Sequence, residues 1–208
     1  MSSIYKILMF ILLFQILVVG FSSKTDAEEN FEIWLLSYKK FALKEGISQK
    51  TIDIAFKNVK FLEQVIKYDR KQPEFFEDTK TYVDKRANIS RVKTARKLLK
   101  ENQILFTKVE NKFSVEKEIL LALWGIETNF GQHVGKMDII SSLATLSYDK
   151  RRRDFFSSQL FTLLSLIDEK LINPNTLYGS WAGAYGNFQF MPSSIKLYAI
   201  DYDNNNKI

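Results

Sequence analysis

The chain has 208 residues, 46% of them hydrophobic and 14% aromatic, which is enough for one substantial core in one domain and places any disorder at the ends. It has no cysteine and one histidine, which excludes a disulfide framework or a lipid-modified cysteine and argues against a Ser-His pair or a histidine-rich metal site. A formal net charge of +6 suits an acidic polymer as partner, whether nucleic acid, anionic lipid or cell wall.

The first segment runs from Lys6 through an apolar stretch, Ile7 to Val19, broken only by Gln15, to Gly20-Phe-Ser-Ser23. That is a charged start, a hydrophobic centre and a small-residue exit, short for a bilayer span. Residues 1–27 are therefore read as an export signal, cut after Gly20 or Ala27, or as an uncleaved N-terminal membrane anchor. Export without disulfides points to a periplasmic or extracellular bacterial protein, makes cell wall the expected partner and argues against nucleic acid, as does the dispersal of the basic residues.

Phe31, Trp34, Leu35, Tyr38, Phe41 and Ala42 recur at helical spacing up to Gly46. Ser48 is placed to cap a second helix carrying Ile52, Ala55 and Phe56. Tyr68-Asp-Arg-Lys-Gln-Pro73 reads as a polar connection, since the residue before proline is biased out of the helical region. A helix through Phe75, Phe76 and Tyr82 is predicted next. Ser90 then opens a long helix or helix pair with Val92, Ala95, Leu98, Leu99, Leu105, Phe106 and Val109 inward and lysines and arginines outward, a basic face read mostly as solvated.

Ser114 is the predicted cap of a helix containing Leu120-Leu-Ala-Leu-Trp-Gly-Ile-Glu-Thr-Asn-Phe-Gly131. Leu120, Leu123, Trp124 and Glu127 share one face, and Gly131 is a natural stop. Glu127 is thus expected in apolar surroundings near a helix C-terminus, where desolvation and the helix dipole both favour the neutral acid, the form that can donate a proton to a glycosidic oxygen. A structural glutamate bonded to a backbone or arginine partner is the competing reading. Helices are predicted at Ile139 to Tyr148 and Arg151 to Ile167, and Asn173-Pro174 ends the region. Arg151-Arg152-Arg153 reads as a charged helix start, contact with an anionic substrate being the alternative. His133 reads as a loop residue. No run alternates strongly enough for a sheet, so the chain is predicted to be mainly α.

Tyr178-Gly-Ser-Trp-Ala-Gly-Ala-Tyr-Gly-Asn-Phe-Gln-Phe-Met-Pro-Ser-Ser194 interleaves glycines with aromatics and amides. Aromatic faces stack on sugar rings and amides bond hydroxyls and acetamides, so the segment fits a saccharide cleft wall; a glycine-rich turn with aromatics filling the core fits equally. Pro192 suits the first turn of a helix running to Ala199. At the end, Asp201, Asp203 and Asn205 match the first, third and fifth positions of a calcium loop, although Asn206 stands where that loop has glycine and no twelfth-position carboxylate follows. An asparagine-rich flexible terminus is the other reading, and the chain is taken to be C-terminally incomplete.

Trp124-Gly-Ile-Glu-Thr-Asn-Phe-Gly131, Leu143-Ala-Thr-Leu-Ser-Tyr148 with Arg151-Arg152, and Gly179 to Ser194, with Asp69-Arg-Lys-Gln-Pro73 as a further feature, resemble the membrane-bound lytic murein transglycosylase B family, glycoside hydrolase family 103. The resemblance runs from about Trp34 to the last residue. It implies a lysozyme-like helical catalytic domain, residues 28–208, acting as a monomer on peptidoglycan strands with no cofactor in the chemistry and a structural calcium. It also implies that Glu127 is the single catalytic acid/base, that Ser180, Gln189 and, less directly, Tyr82 line sugar subsites, and that Asp201, Asp203 and Asn205 belong to the calcium loop. The implied reaction cleaves the bond from N-acetylmuramic acid to N-acetylglucosamine and closes a 1,6-anhydro ring. A hydrolytic muramidase would need a second flanking carboxylate, which the glycine-aromatic segment lacks. A non-catalytic peptidoglycan-binding protein is the remaining alternative.

Overall fold

The computed structural model describes residues 26–71, 77–202 and 204–205. In chain order the helices are α1 (Asp26–Lys44), α2 (Gln49–Ala55), α3 (Glu63–Arg70), α4 (Thr79–Arg86), α5 (Ile89–Glu101), α6 (Gln103–Phe113) and α7 (Lys117–Thr128). They are followed by β1 (Met137–Asp138), α8 (Ile139–Tyr148), α9 (Arg153–Asp168), a 3-10 turn (Pro174–Thr176), β2 (Tyr178–Gly179) and α10 (Pro192–Tyr198). The two short strands pair antiparallel, Met137 opposite Gly179 and Asp138 opposite Tyr178. The expectations for residues 1–25, Pro73, Phe75, Phe76 and Asp203 fall outside the described residues.

α8 is the centre of the core. Every residue from Ile139 to Ser147 is buried, and α1, α3 and α9 pack around it. A helix apolar on all sides is stable only when enclosed. Its buried hydroxyls are put to use: Ser141 and Thr145 accept hydrogen bonds from the backbone N–H groups of Lys60 (3.1 Å) and Leu62 (3.0 Å), fixing the chain that leads into α3. Asp138 caps the helix through the Ser141 N–H (2.7 Å). α1 presents Phe31, Leu35, Tyr38 and Ala42 inward, and the Phe31 ring meets those of Trp34, Phe61 and Tyr148. As expected, Ser48 caps α2, and its hydroxyl, with that of Thr51, also bonds Asp168 at the end of α9.

Three expectations are corrected. Tyr68, Asp69 and Arg70 belong to α3 rather than to a polar connection. Asp69 lies four residues after Val65 on the inward face, and both are buried. Its carboxylate accepts from Arg70 (2.8 Å), Arg151 (2.7 Å) and Arg152, so most of the arginine triplet neutralises a buried charge across the α8–α9 junction. Second, α5 starts at the cap Asn88, ahead of Ser90; the stretch is the helix pair of the two expected alternatives, divided at Asn102. Third, Ser114 ends α6 in a left-handed conformation instead of capping α7, whose own cap position is Glu116.

Candidate active site

α7 carries apolar residues on two faces, and the structure buries the one containing Leu121, Gly125 and Thr128. The face predicted to be enclosed is open. Leu123 is 45% exposed, Leu120 and Trp124 are partly exposed, and Glu127 is exposed with no hydrogen-bond or ion-pair partner among the described residues. The apolar burial expected around Glu127 is therefore not found, because α5 packs against the other side of the helix. Its position in the last turn of α7 is as expected, one residue before the helix ends.

A compact seam joins this helix end to the glycine-aromatic segment. The Thr128 hydroxyl, fully buried, donates to the Asn187 carbonyl (2.8 Å) and accepts from the Gly131 N–H (3.0 Å). Trp124 donates its indole N–H to the Asn187 side-chain oxygen (3.1 Å). Gly131, at φ +83°, leaves room for that oxygen, since a Cβ there would approach it to 2.7 Å. The backbone of Gly135 packs on that of Gly179 so closely that a Cβ at Gly135 would collide with the Gly179 carbonyl. Glu127 directly precedes Thr128, the residue through which the end of α7 is bonded to the loop that carries Ser180 and Gln189.

Both loop side chains are held by backbone. Gln189 donates its amide hydrogens to the carbonyls of Gly186 (2.8 Å) and Val134 (3.1 Å), which leaves Oε1 as an oriented acceptor. Ser180 accepts from the Ala184 N–H (2.9 Å), and its own hydrogen is left to donate. Tyr82 stands apart on α4, with the Arg86 guanidinium 3.6 Å from its ring centre. Arg91 connects that helix to α7 by bonding the Arg86 carbonyl and the Asn129 side chain (3.4 Å). At the terminus the Asn205 N–H donates to Asp201 (3.0 Å), and among the described residues no group of three or more His, Cys, Asp or Glu could hold a metal.

Thr128 did not stand out in the sequence, and Asp69 and Asn187 did so only as members of longer motifs, with none of the contacts they make. Thr128 follows Glu127 directly, but its inward direction depends on which face of α7 is buried. Replacing Thr128 with Val should strand the Asn187 carbonyl and the Gly131 N–H and cost about 1–3 kcal/mol, read by denaturant unfolding, with Thr128→Ser recovering most of the loss.

A mainly helical domain with a short two-stranded antiparallel pairing, an exposed carboxylate at a helix end and a glycine-aromatic loop pinned to that helix has the layout of a lysozyme-like domain. The chain belongs to the transglycosylase SLT domain family, whose match covers residues 30–208. It is 42% identical over 97 residues to membrane-bound lytic murein transglycosylase B of Escherichia coli (strain K12), a match taking in 46% of this chain and 27% of that protein. SltB3 from Pseudomonas aeruginosa, solved with NAG-anhNAM-pentapeptide, superposes with a TM-score of 0.80 at 34% identity over 85% of this chain and 47% of that one. Escherichia coli Slt35, solved with calcium, superposes with a TM-score of 0.68 at 30% identity over 91% and 58%. The chain thus spans about half the length of these solved relatives.

Proposed function

We propose that the protein is a peptidoglycan lytic transglycosylase in which Glu127 is the only catalytic carboxylate. As an acid it would protonate the oxygen linking N-acetylmuramic acid to N-acetylglucosamine, so that the C1–O bond breaks while the substrate acetamide stabilises the cation. As a carboxylate it would then take the proton of the muramoyl C6 hydroxyl, whose oxygen bonds C1 and closes the anhydro ring. Because Glu127 is exposed, the glycan that covers it would supply the exclusion of water that proton donation needs. The Ser180 hydroxyl and Gln189 Oε1 would bond sugar hydroxyls or acetamides, and the Tyr82 ring would line a more distant subsite.

What supports this reading is an exposed carboxylate with no partner among the described residues, next in the chain to Thr128, whose hydroxyl bonds the loop in which the Ser180 hydroxyl and Gln189 amide are held by backbone. SltB3, with an anhydromuramoyl product in its solved complex, supports the same chemistry by likeness. Incubation with purified sacculi tests it: soluble muropeptides are expected, whereas sacculi that bind protein and release nothing would favour a binding protein.

Residues 1–27 we assign to an export signal or N-terminal anchor and 28–208 to a monomeric catalytic domain working in the periplasm. No described helix is long and apolar enough to cross a membrane. We further assign a structural calcium to Asp201, Asp203 and Asn205, a set of hard oxygens of which the first and fifth share a turn closed by the Asn205 N–H. Added calcium should then raise the melting temperature, with a gain of about 2.7 kcal/mol at a hundredfold excess over Kd. Asp201→Ala should abolish that response.

A further inference from the structure

We propose that α5 and α6 form a docking surface for an anionic phospholipid bilayer, separate from the glycan site and from the N-terminal apolar segment. From Ile89 to Phe113 there are seven lysines and arginines against two glutamates, a net +5 within a chain whose total is +6. The structure shows what the sequence pattern could not. No residue of either helix is fully buried, and each carries an outward stripe that mixes cations with bare hydrocarbon.

On α5 the stripe is Ile89, Lys93, Arg96 and Lys100, one helical turn apart in succession, with Ile89 75% exposed. On α6 it begins with Ile104, 88% exposed, and continues through Lys108, which lines the same shallow surface hollow. None of these four cations forms an ion pair with a described residue; Lys108 lies 5.7 Å from the centre of the Tyr202 ring, a contact that leaves its charge uncompensated and open to an anionic partner. Cations alone would suit any anionic polymer. Isoleucines at such exposure favour a bilayer interface, where side chains of this kind enter the acyl boundary while lysines and arginines meet headgroup phosphates; a hydrated glycan strand or a nucleic acid offers no comparable apolar layer.

The test is co-sedimentation of the full chain with vesicles of phosphatidylcholine alone and of phosphatidylcholine mixed with phosphatidylglycerol. The N-terminal segment is common to every variant, so comparison between variants isolates α5 and α6. The wild type should prefer the anionic vesicles by at least about tenfold, less so at high salt, and the triple variant K93E/R96E/K100E should lose that preference. Ile104→Ser should weaken binding while leaving the salt dependence in place. Equal partition onto both vesicle types, an undiminished preference in the triple variant, or binding to purified sacculi in place of vesicles would overturn the proposal. Muropeptide release from sacculi by the same triple variant should match wild type, so failure here and failure of the transglycosylase reading are told apart.

Discussion

Glu127→Gln is expected to lower muropeptide release by about a hundred- to ten-thousandfold, the contribution of a positioned general acid/base. The glutamine keeps the size of the side chain and removes both the proton to be donated and the carboxylate that would receive one. Glu127 is exposed and bonded to no described residue, so the substitution should change stability by less than about 0.5 kcal/mol. Binding to sacculi should persist, because Ser180, Gln189 and the aromatic residues of the loop are untouched. Release assays and urea unfolding on the same preparation check both halves, and undiminished release would remove Glu127 from the chemistry.

Asp69→Asn is expected to be the most damaging single change to stability, costing about 3–5 kcal/mol. Asp69 is 1% exposed and joins α3 to the α8–α9 junction through Arg70, Arg151 and Arg152. Asn removes the charge and leaves Arg152, whose Nε has no hydrogen-bond partner among the described residues, facing an uncompensated site over the Phe156 ring. Thermal unfolding should fall by roughly 10 °C, while Asp154→Asn at the exposed start of α9 should move it little. Burial opposes ionisation of Asp69, but the hydrogen bonds from Arg151 and Arg152 outweigh it and hold the carboxyl below its ordinary value. Its contribution is therefore complete above the unfolded-state value near pH 4 and is lost as pH falls through the lower folded-state value. Wild type should show this acid loss and Asp69→Asn should lack that part of it.

Much of the fold was legible. α8 was predicted at its observed bounds and α9 nearly so, because both carry dense apolar periodicity between clear breaks. The enclosed face of α7 was not legible, since Leu120, Leu121, Leu123 and Ile126 make the helix apolar on more than one side and only the packing of α5 selects among them. Asp69 was misplaced because the approach of Pro73 and the run of charges suggested a loop, while its counterions Arg151 and Arg152 lie far along the chain and become neighbours only once α8 and α9 are in place. The glycine-aromatic segment was recognised by composition, but its attachment to α7 depends on Thr128, an ordinary residue whose hydroxyl gains meaning from its depth. Sequence therefore marked elements better than the contacts that hold them together, because contacts across elements leave no local pattern.

The most direct measurement is digestion of sacculi in heavy-oxygen water, followed by mass spectrometry of the released muropeptides. If the C6 hydroxyl is the acceptor, products carry the anhydromuramoyl mass and no heavy oxygen, and Glu127→Gln gives none. Reducing-end products that have each taken up one heavy oxygen would contradict the account, because water would then be the nucleophile and a second carboxylate would be required.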